Sequence, residues 1–223
     1  MNSDYWYKFA KDIVQLYQVL FITPWVKGEE HIPEGPKIIV GNHSLASDPF
    51  ILPLIFHDKL HFLIEHELFN VRFIGRLLEL ADQIPVVRGR GLEALRTASQ
   101  KLVAGDSVVV FPEGRLNHGE QLYRAHSGAA LLASRTGAPV LPVGFYTPPN
   151  FVHIFRSKLK DREAVGGWQF GGPLFVNIGN PLRLVQESSG YMALRAFTDQ
   201  MMVAVTNLIN EIRSSAPALP RGS

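Results

Sequence analysis

The chain has no cysteine. That removes disulfides, thiolate nucleophiles and cysteine-held metals together, and it fits a reducing compartment. Long apolar runs are missing too. Spanning a bilayer as a helix takes roughly 20 apolar residues, and the nearest candidate, residues 19–26, is short and broken by Pro24. The first residues carry Asp4 and Asp12 and no basic lead into an apolar core, so no secretory signal is expected. Charge of one sign is scarce: 22 Lys and Arg against 20 Asp and Glu leave +2. A field that small implies no nucleic-acid partner. Neither G-x4-G-K-[ST] nor G-x-G-x-x-G occurs, so nothing cradles a nucleotide in the usual way. There is no G-x-S-x-G elbow either. His57, His61 and His66 lie near one another without a recognised metal spacing. His61 reads as strand-borne and the other two as surface, and neither a metal nor a cofactor is expected.

What is present describes a folded chain. It has 223 residues, 46% apolar and 19% charged, enough for one domain with a sizeable core. Trp6, Phe9, Ile13, Leu16 and Leu20 recur at three- and four-residue steps, so residues 4–22 predict an amphipathic helix. Its aromatic start suits the headgroup zone of a membrane, and core packing is the plainer account of the same stripe. Both hold if each face does one job. From Lys37 onward strand and helix alternate. Strands are expected at 37–40, 60–64, 84–87, 107–111, 140–146 and 174–178. Helices are expected from Asp48-Pro49, over 66–80, from Leu92, over 127–136 and over 191–212. Gly105 and Gly137 stand where helix C-caps belong. The 147–173 stretch, with Pro148-Pro149, Gly166-Gly167 and Gly171-Gly172-Pro173, reads as loop. The alternation predicts an α/β fold, a mostly parallel sheet flanked by helices. The division expected is an N-terminal amphipathic helical membrane-association segment over 1–34, the α/β domain over 35–213, and a disordered or cloning-derived tail over 214–223.

Two strand ends carry chemistry. The apolar run Ile38-Ile39-Val40 leads into Asn42-His43-Ser44-Leu45-Ala46-Ser47-Asp48-Pro49, an H-x4-D pair. Val108-Val109-Val110 leads into Phe111-Pro112-Glu113-Gly114-Arg115. Ligands of open α/β sheets bind at the carboxyl ends of the strands. His43, Arg88, Glu113 and Gly144 each stand after or late in an expected strand, so they should gather at one edge. His43 can act as a general base, since imidazole is the side chain that ordinarily titrates between pH 5 and 8. Asp48 can hold the other ring nitrogen and stabilise the imidazolium. No protein nucleophile accompanies them, which leaves a substrate hydroxyl as the attacking group. Arg88 and Arg115 can grip phosphate through a planar fork of donors. Glu113 can accept from a hydroxyl or orient an arginine. The plainer readings are Asp48 as a helix N-cap, His43 as a turn residue, and Glu113 in a surface ion pair with either arginine. The basic run Arg156, Lys158, Lys160, Arg162, tempered by Asp161 and Glu163, reads as a solvated face, or more sharply as a contact for anionic lipid or a CoA phosphate.

In this order and spacing the segments resemble the glycerolipid acyltransferase family, whose members acylate lysophosphatidic acid and its relatives. The resemblance covers residues 30–180. It rests on Asn42, His43, Asp48 and Pro49, on Ile84-Pro85-Val86-Val87-Arg88, on Phe111 to Arg115, and on Val140-Leu141-Pro142-Val143. The segments 127–130 and 136–139 add to it. Two positions depart from the commonest pattern: Leu45 stands where Ser is usual, and Arg115 follows Gly114 directly. The resemblance implies His43 as catalytic base with Asp48 as its partner. It implies Arg88, Glu113, Gly114 and Arg115 as the acceptor-phosphate site, with Asn42, Phe111, Pro112, Pro142 and Val143 lining it. The implied reaction moves a fatty acyl group from an acyl thioester, acyl-CoA or acyl-carrier protein, to the hydroxyl of lysophosphatidic acid. The implied location is the cytoplasmic, inner face of a membrane, held peripherally. Another lysophospholipid acceptor such as lysophosphatidylethanolamine, a thioesterase using the same His43, and a silent lipid-binding module are the alternatives.

Overall fold

A computed structural model describes residues 2–117, 122–159, 162–184 and 190–215. The chain opens with helix α1 (Ser3–Phe21) and strand β1 (Thr23–Lys27), then β2 (Ile38–Gly41), the short α2 (Leu52–Ile55), β3 (Leu60–Glu65), α3 (His66–Phe69) and α4 (Arg72–Leu80). Next come β4 (Ile84–Val86), α5 (Gly91–Val103), β5 (Ser107–Val110), α6 (Gly128–Thr136) and β6 (Val140–Tyr146). A hairpin, β7 (Val152–Leu159) with β8 (Arg162–Gln169), leads to β9 (Pro173–Ile178) and the long α7 (Tyr191–Ser215).

The main sheet has seven strands in the order β1-β9-β6-β2-β5-β3-β4. β6, β2, β5, β3 and β4 are mutually parallel, as a βα alternation requires. β9 runs antiparallel to β6 and carries β1 parallel to itself at the edge. The central strands are buried on both faces, which explains their unbroken apolar runs. On one face α5, α6 and α7 pack over Ile38, Val40, Val108 and Val140. On the other, α2 and the inner side of α1 pack over Ile39, Val109, Leu141 and Val143.

Three expectations need correction. Residues 23–27 belong to the main sheet as β1, although they fall in the segment expected to be helical. Pro24 is tolerated because β1 is an edge strand with a single neighbour. The helix expected over 66–80 breaks at Asn70 and Val71, and α3 folds back on α4. The contact is so close that a Cβ on Gly75 would lie 1.9 Å from the Phe69 carbonyl oxygen. The stretch read as loop over 147–173 holds the two-stranded β7–β8 hairpin, whose register runs from Val152 opposite Gln169 to Leu159 opposite Arg162.

Helix α1 splits its side chains between two surroundings. Tyr7, Val14, Tyr17 and Gln18 turn inward, and the Tyr7 hydroxyl accepts the Leu60 N–H at 3.1 Å. Phe9, Ile13, Leu16, Val19 and Leu20 face outward, 44% to 75% exposed. Trp6, placed by its spacing on the same stripe, is instead half-buried and edge-on to Phe9. The helix lies across the sheet. Asp4 pairs with Lys59 at the start of β3, and Tyr17 stacks edge-on to Phe50, beyond the carboxyl end of β2. Among the described residues no helix is long and apolar enough to cross a membrane.

Candidate active site

The end of β2 is set against β6 before the motif begins. Gly41 is required there by space, since a Cβ would meet the buried Phe145 ring at 2.7 Å. Asn42 then clamps the two strands. Its amide donates to the Phe145 carbonyl at 3.0 Å and its oxygen accepts the Phe145 N–H at 2.8 Å. The same amide also donates to the Ser44 hydroxyl. His43 is thereby delivered to the carboxyl edge, with its ring stacked on Phe111 at 4.3 Å and 19° between planes.

Asp48 is buried to 1% exposure. It opens a 3-10 turn over Asp48–Ile51 with Ser47 at the cap position, so it is not the N-cap that its sequence context suggests. Its carboxylate points back into its own loop and accepts the Leu45 N–H at 2.6 Å. Burial pushes its pKa up to about 7, against the opposing pull of the Leu45 and Ser44 backbone N–H groups.

Glu113 is also buried, at 3% exposure, which rules out a surface ion pair with Arg88 or Arg115. One oxygen accepts the Asn117 amide at 2.5 Å and the Tyr123 N–H at 2.8 Å. The other takes a long 3.4 Å contact from the His43 N–H. The Asn117 N–H donates to the His43 carbonyl at 2.8 Å. The acid therefore ties the histidine loop to the β5 loop. Asn117 and Tyr123 are the site residues that sequence reasoning missed. Asn117 stands four positions after the acid and Tyr123 ten, with no pattern to mark either.

Gly114 adopts φ +66°, a left-handed turn that favours glycine, and this swings Arg115 into solvent. The Arg115 guanidinium lies 3.8 Å above the Tyr123 ring. Pro112 is buried and Phe111 half-buried. Pro142 and Val143 are inside the core, paired with Val40 and Gly41. β6 reaches the site through Phe145 instead, 6.5 Å from Phe111. Gly144 does not face the site either: a Cβ there would meet Leu208 of α7 at 2.9 Å. Arg88 lies at the same sheet edge but off to one side, exposed, 3.7 Å from Glu65. β4 is three strand steps from β2, roughly 14 Å at ordinary spacing. His43 and the Glu113 loop are thus brought together, and Arg88 is held apart. His61 is strand-borne as expected, fully buried between the Asp82 carbonyl and the Asp106 carboxylate.

The site is walled by α1 and the hairpin. The Ala46 N–H donates to the Gly167 carbonyl at 2.8 Å, and Phe50 meets Trp168 edge-on at 5.6 Å. The Tyr17 hydroxyl donates to the Gln169 carbonyl, and burial raises the pKa of that phenol. Of the basic run, Arg156 is exposed on β7, and Lys160 and Asp161 lie outside the described residues.

Such an arrangement can take a proton from a hydroxyl at His43, in a loop that Glu113 holds through the His43 backbone N–H. Comparison with known proteins points the same way. The family model described as Acyltransferase matches residues 24–146. A 1-acyl-sn-glycerol-3-phosphate acyltransferase of Borreliella burgdorferi is 33% identical over 56% of this chain and 52% of its own length. One of Pseudomonas aeruginosa is 32% identical over 62% of this chain and 54% of its own. The chain therefore spans about half the length of these curated relatives. The crystal structure of the 1-acyl-sn-glycerophosphate (LPA) acyltransferase PlsC from Thermotoga maritima superposes with a TM-score of 0.70 at 25% identity, covering 99% of this chain and 83% of that one.

Proposed function

The chain belongs to the acyltransferase family, and from that membership we propose that it moves a fatty acyl group from an acyl thioester to the free hydroxyl of lysophosphatidic acid, giving phosphatidic acid. The observation that carries the reading is the meeting of His43 with the Phe111–Arg115 loop at the carboxyl edge of the sheet. His43 removes the proton of the acceptor hydroxyl as its oxygen attacks the thioester carbonyl. The carbon–oxygen bond forms, the carbon–sulfur bond breaks, and the proton leaves with the thiol. Asp48 stabilises the imidazolium in this scheme, and Glu113 positions His43 through the shared loop contacts. Arg115 is the nearer phosphate holder, free of any carboxylate partner among the described residues. Arg88 suits a more distant part of the acceptor.

In this reading the acceptor and the product are membrane lipids, so the enzyme works at a lipid surface. The outward row of α1, Phe9 to Leu20, fits an in-plane helix with its apolar side in the headgroup zone. The reading places the protein peripherally on the cytoplasmic face of the membrane. A panel of lysophospholipids offered with acyl-CoA and with acyl-carrier protein, read by product mass, tests it. Phosphatidic acid as the main product supports it. Release of the donor thiol at the same rate without any acceptor would make the protein a thioesterase.

A further inference from the structure

A groove of about 420 Å³ runs between residues 122–125 and α7, lined by Tyr123, Arg124, Arg195, Thr206, Asn210 and Arg213 among others. Its volume lies in the range of small-ligand sites, and its charge is positive. Arg195 is already committed, donating to the Ala125 carbonyl at 2.6 Å and to Asp199 at 2.7 Å. Arg124 and Arg213 are exposed, and neither is paired with a carboxylate among the described residues. The groove is connected to the chemistry at two points. The Tyr123 N–H is bound by Glu113, which also contacts the His43 N–H. Arg213 lies 5.5 Å from the ring of Tyr146, the last residue of β6 at the carboxyl edge. The groove also lies on the α7 side of the sheet, whereas α1, with its exposed apolar row, covers the opposite side.

We propose that this groove binds the phosphate-bearing adenosine end of coenzyme A, the soluble half of the acyl donor. The assignment rests on the acyl-transfer reading above and adds where the donor enters. Two exposed guanidinium forks, without a carboxylate partner among the described residues, suit the diphosphate and 3′-phosphate of that ligand. The pantetheine arm then reaches past Tyr123 toward His43. Donor and acceptor head groups then meet at Tyr123, whose ring carries Arg115, the thioester arriving along α7 from water and the acyl chain of the lipid from the α1 face.

Adenosine 3′,5′-bisphosphate is the probe, titrated calorimetrically into the full chain and into the double variant Arg124→Gln/Arg213→Gln. Both positions are exposed, and circular dichroism with a melting curve checks that the variant folds. The wild type should bind the probe and the variant should bind it at least about tenfold more weakly, the loss expected when charged hydrogen bonds are removed. In turnover the KM for acyl-CoA should rise by a similar factor, with kcat and the acceptor KM unchanged. An acyl-pantetheine without phosphates should be a poor donor for the wild type, and the variant should lose most of the preference for acyl-CoA over it. No binding of the bisphosphate to the wild type, equal binding by the variant, or equal use of the two donors would overturn the assignment. A rise in KM confined to acyl-carrier protein would overturn it as well, giving the groove to that protein. Bisphosphate binding is read without turnover, so a wild type that binds the probe but acylates no lysophospholipid would leave the groove assigned and the proposed reaction wrong.

Discussion

Asp48→Asn isolates the buried carboxyl of the His43–Asp48 loop. Asparagine keeps the shape and leaves an oxygen to accept the Leu45 N–H, but it has no proton to lose. In the wild type, burial raises the pKa from 3.8 to about 7. A raised value means that the folded protein keeps a proton that the unfolded chain gives up near pH 4. The stability this contributes is therefore complete below that point and is lost as pH rises through about 7. At about 1.4 kcal/mol for each pH unit between the two values, the loss is about 4 kcal/mol. Urea unfolding at about pH 4 and about pH 8 measures it, with the variant serving as the reference for every other titrating group. The wild type should lose about 4 kcal/mol more than the variant across that interval. Parallel profiles, agreeing within about 1 kcal/mol, would mean that Asp48 ionises freely in the folded state and would refute the account of its burial. If Asp48 also supports His43 as its ionised form, the wild-type rate should climb as pH passes about 7, and the variant should be slow and lack that limb.

Glu113→Gln replaces an acceptor oxygen with a donor that faces either the Asn117 amide and Tyr123 N–H together or the His43 N–H. A clash of donors in a buried site should lower stability by about 1–3 kcal/mol. If Glu113 acts by positioning His43, as proposed, turnover should fall while the acceptor KM changes little; a selective rise in acceptor KM would instead make it a binding group. On α1, Ile13→Ser with Leu16→Ser should weaken liposome binding and leave the melting temperature nearly unchanged. Tyr17→Phe should do the reverse, lowering the melting temperature through the lost bond to Gln169. The opposite pattern would move the lipid-facing side of the helix.

Much of this molecule could be read before it was seen. The central strands β2, β5 and β6 announce themselves as apolar runs because they are buried on both faces, and the left-handed glycines at 105, 114 and 137 stand where turns or helix ends were due. His43 and Glu113 converge because both follow strands, and β2 and β5 are neighbours. Adjacency is the part a linear pattern does not contain. Arg88 also follows a strand, but β4 is the far edge, so the same rule placed it too near. The hairpin escaped notice because its second strand contains Gly166-Gly167 and it is not part of the main sheet. β1 hid behind Pro24. Glu113 was expected to meet a substrate or an arginine; buried, it meets Asn117 and the Tyr123 N–H among the described residues, partners that nothing in the spacing marks. On α1 the stripe was legible, but its direction depended on which face Tyr7 and Tyr17 could anchor.

The claim on which the rest depends is that His43 is the base of an acyl transfer to a lysophospholipid hydroxyl. The direct measurement is the rate of phosphatidic acid formation from acyl-CoA and lysophosphatidic acid by the wild type and by His43→Ala, followed by mass spectrometry, with unfolding curves showing that both are folded. Loss of the base should slow the reaction by about 10²–10⁴-fold. A folded His43→Ala protein that forms phosphatidic acid at close to the wild-type rate would contradict the account.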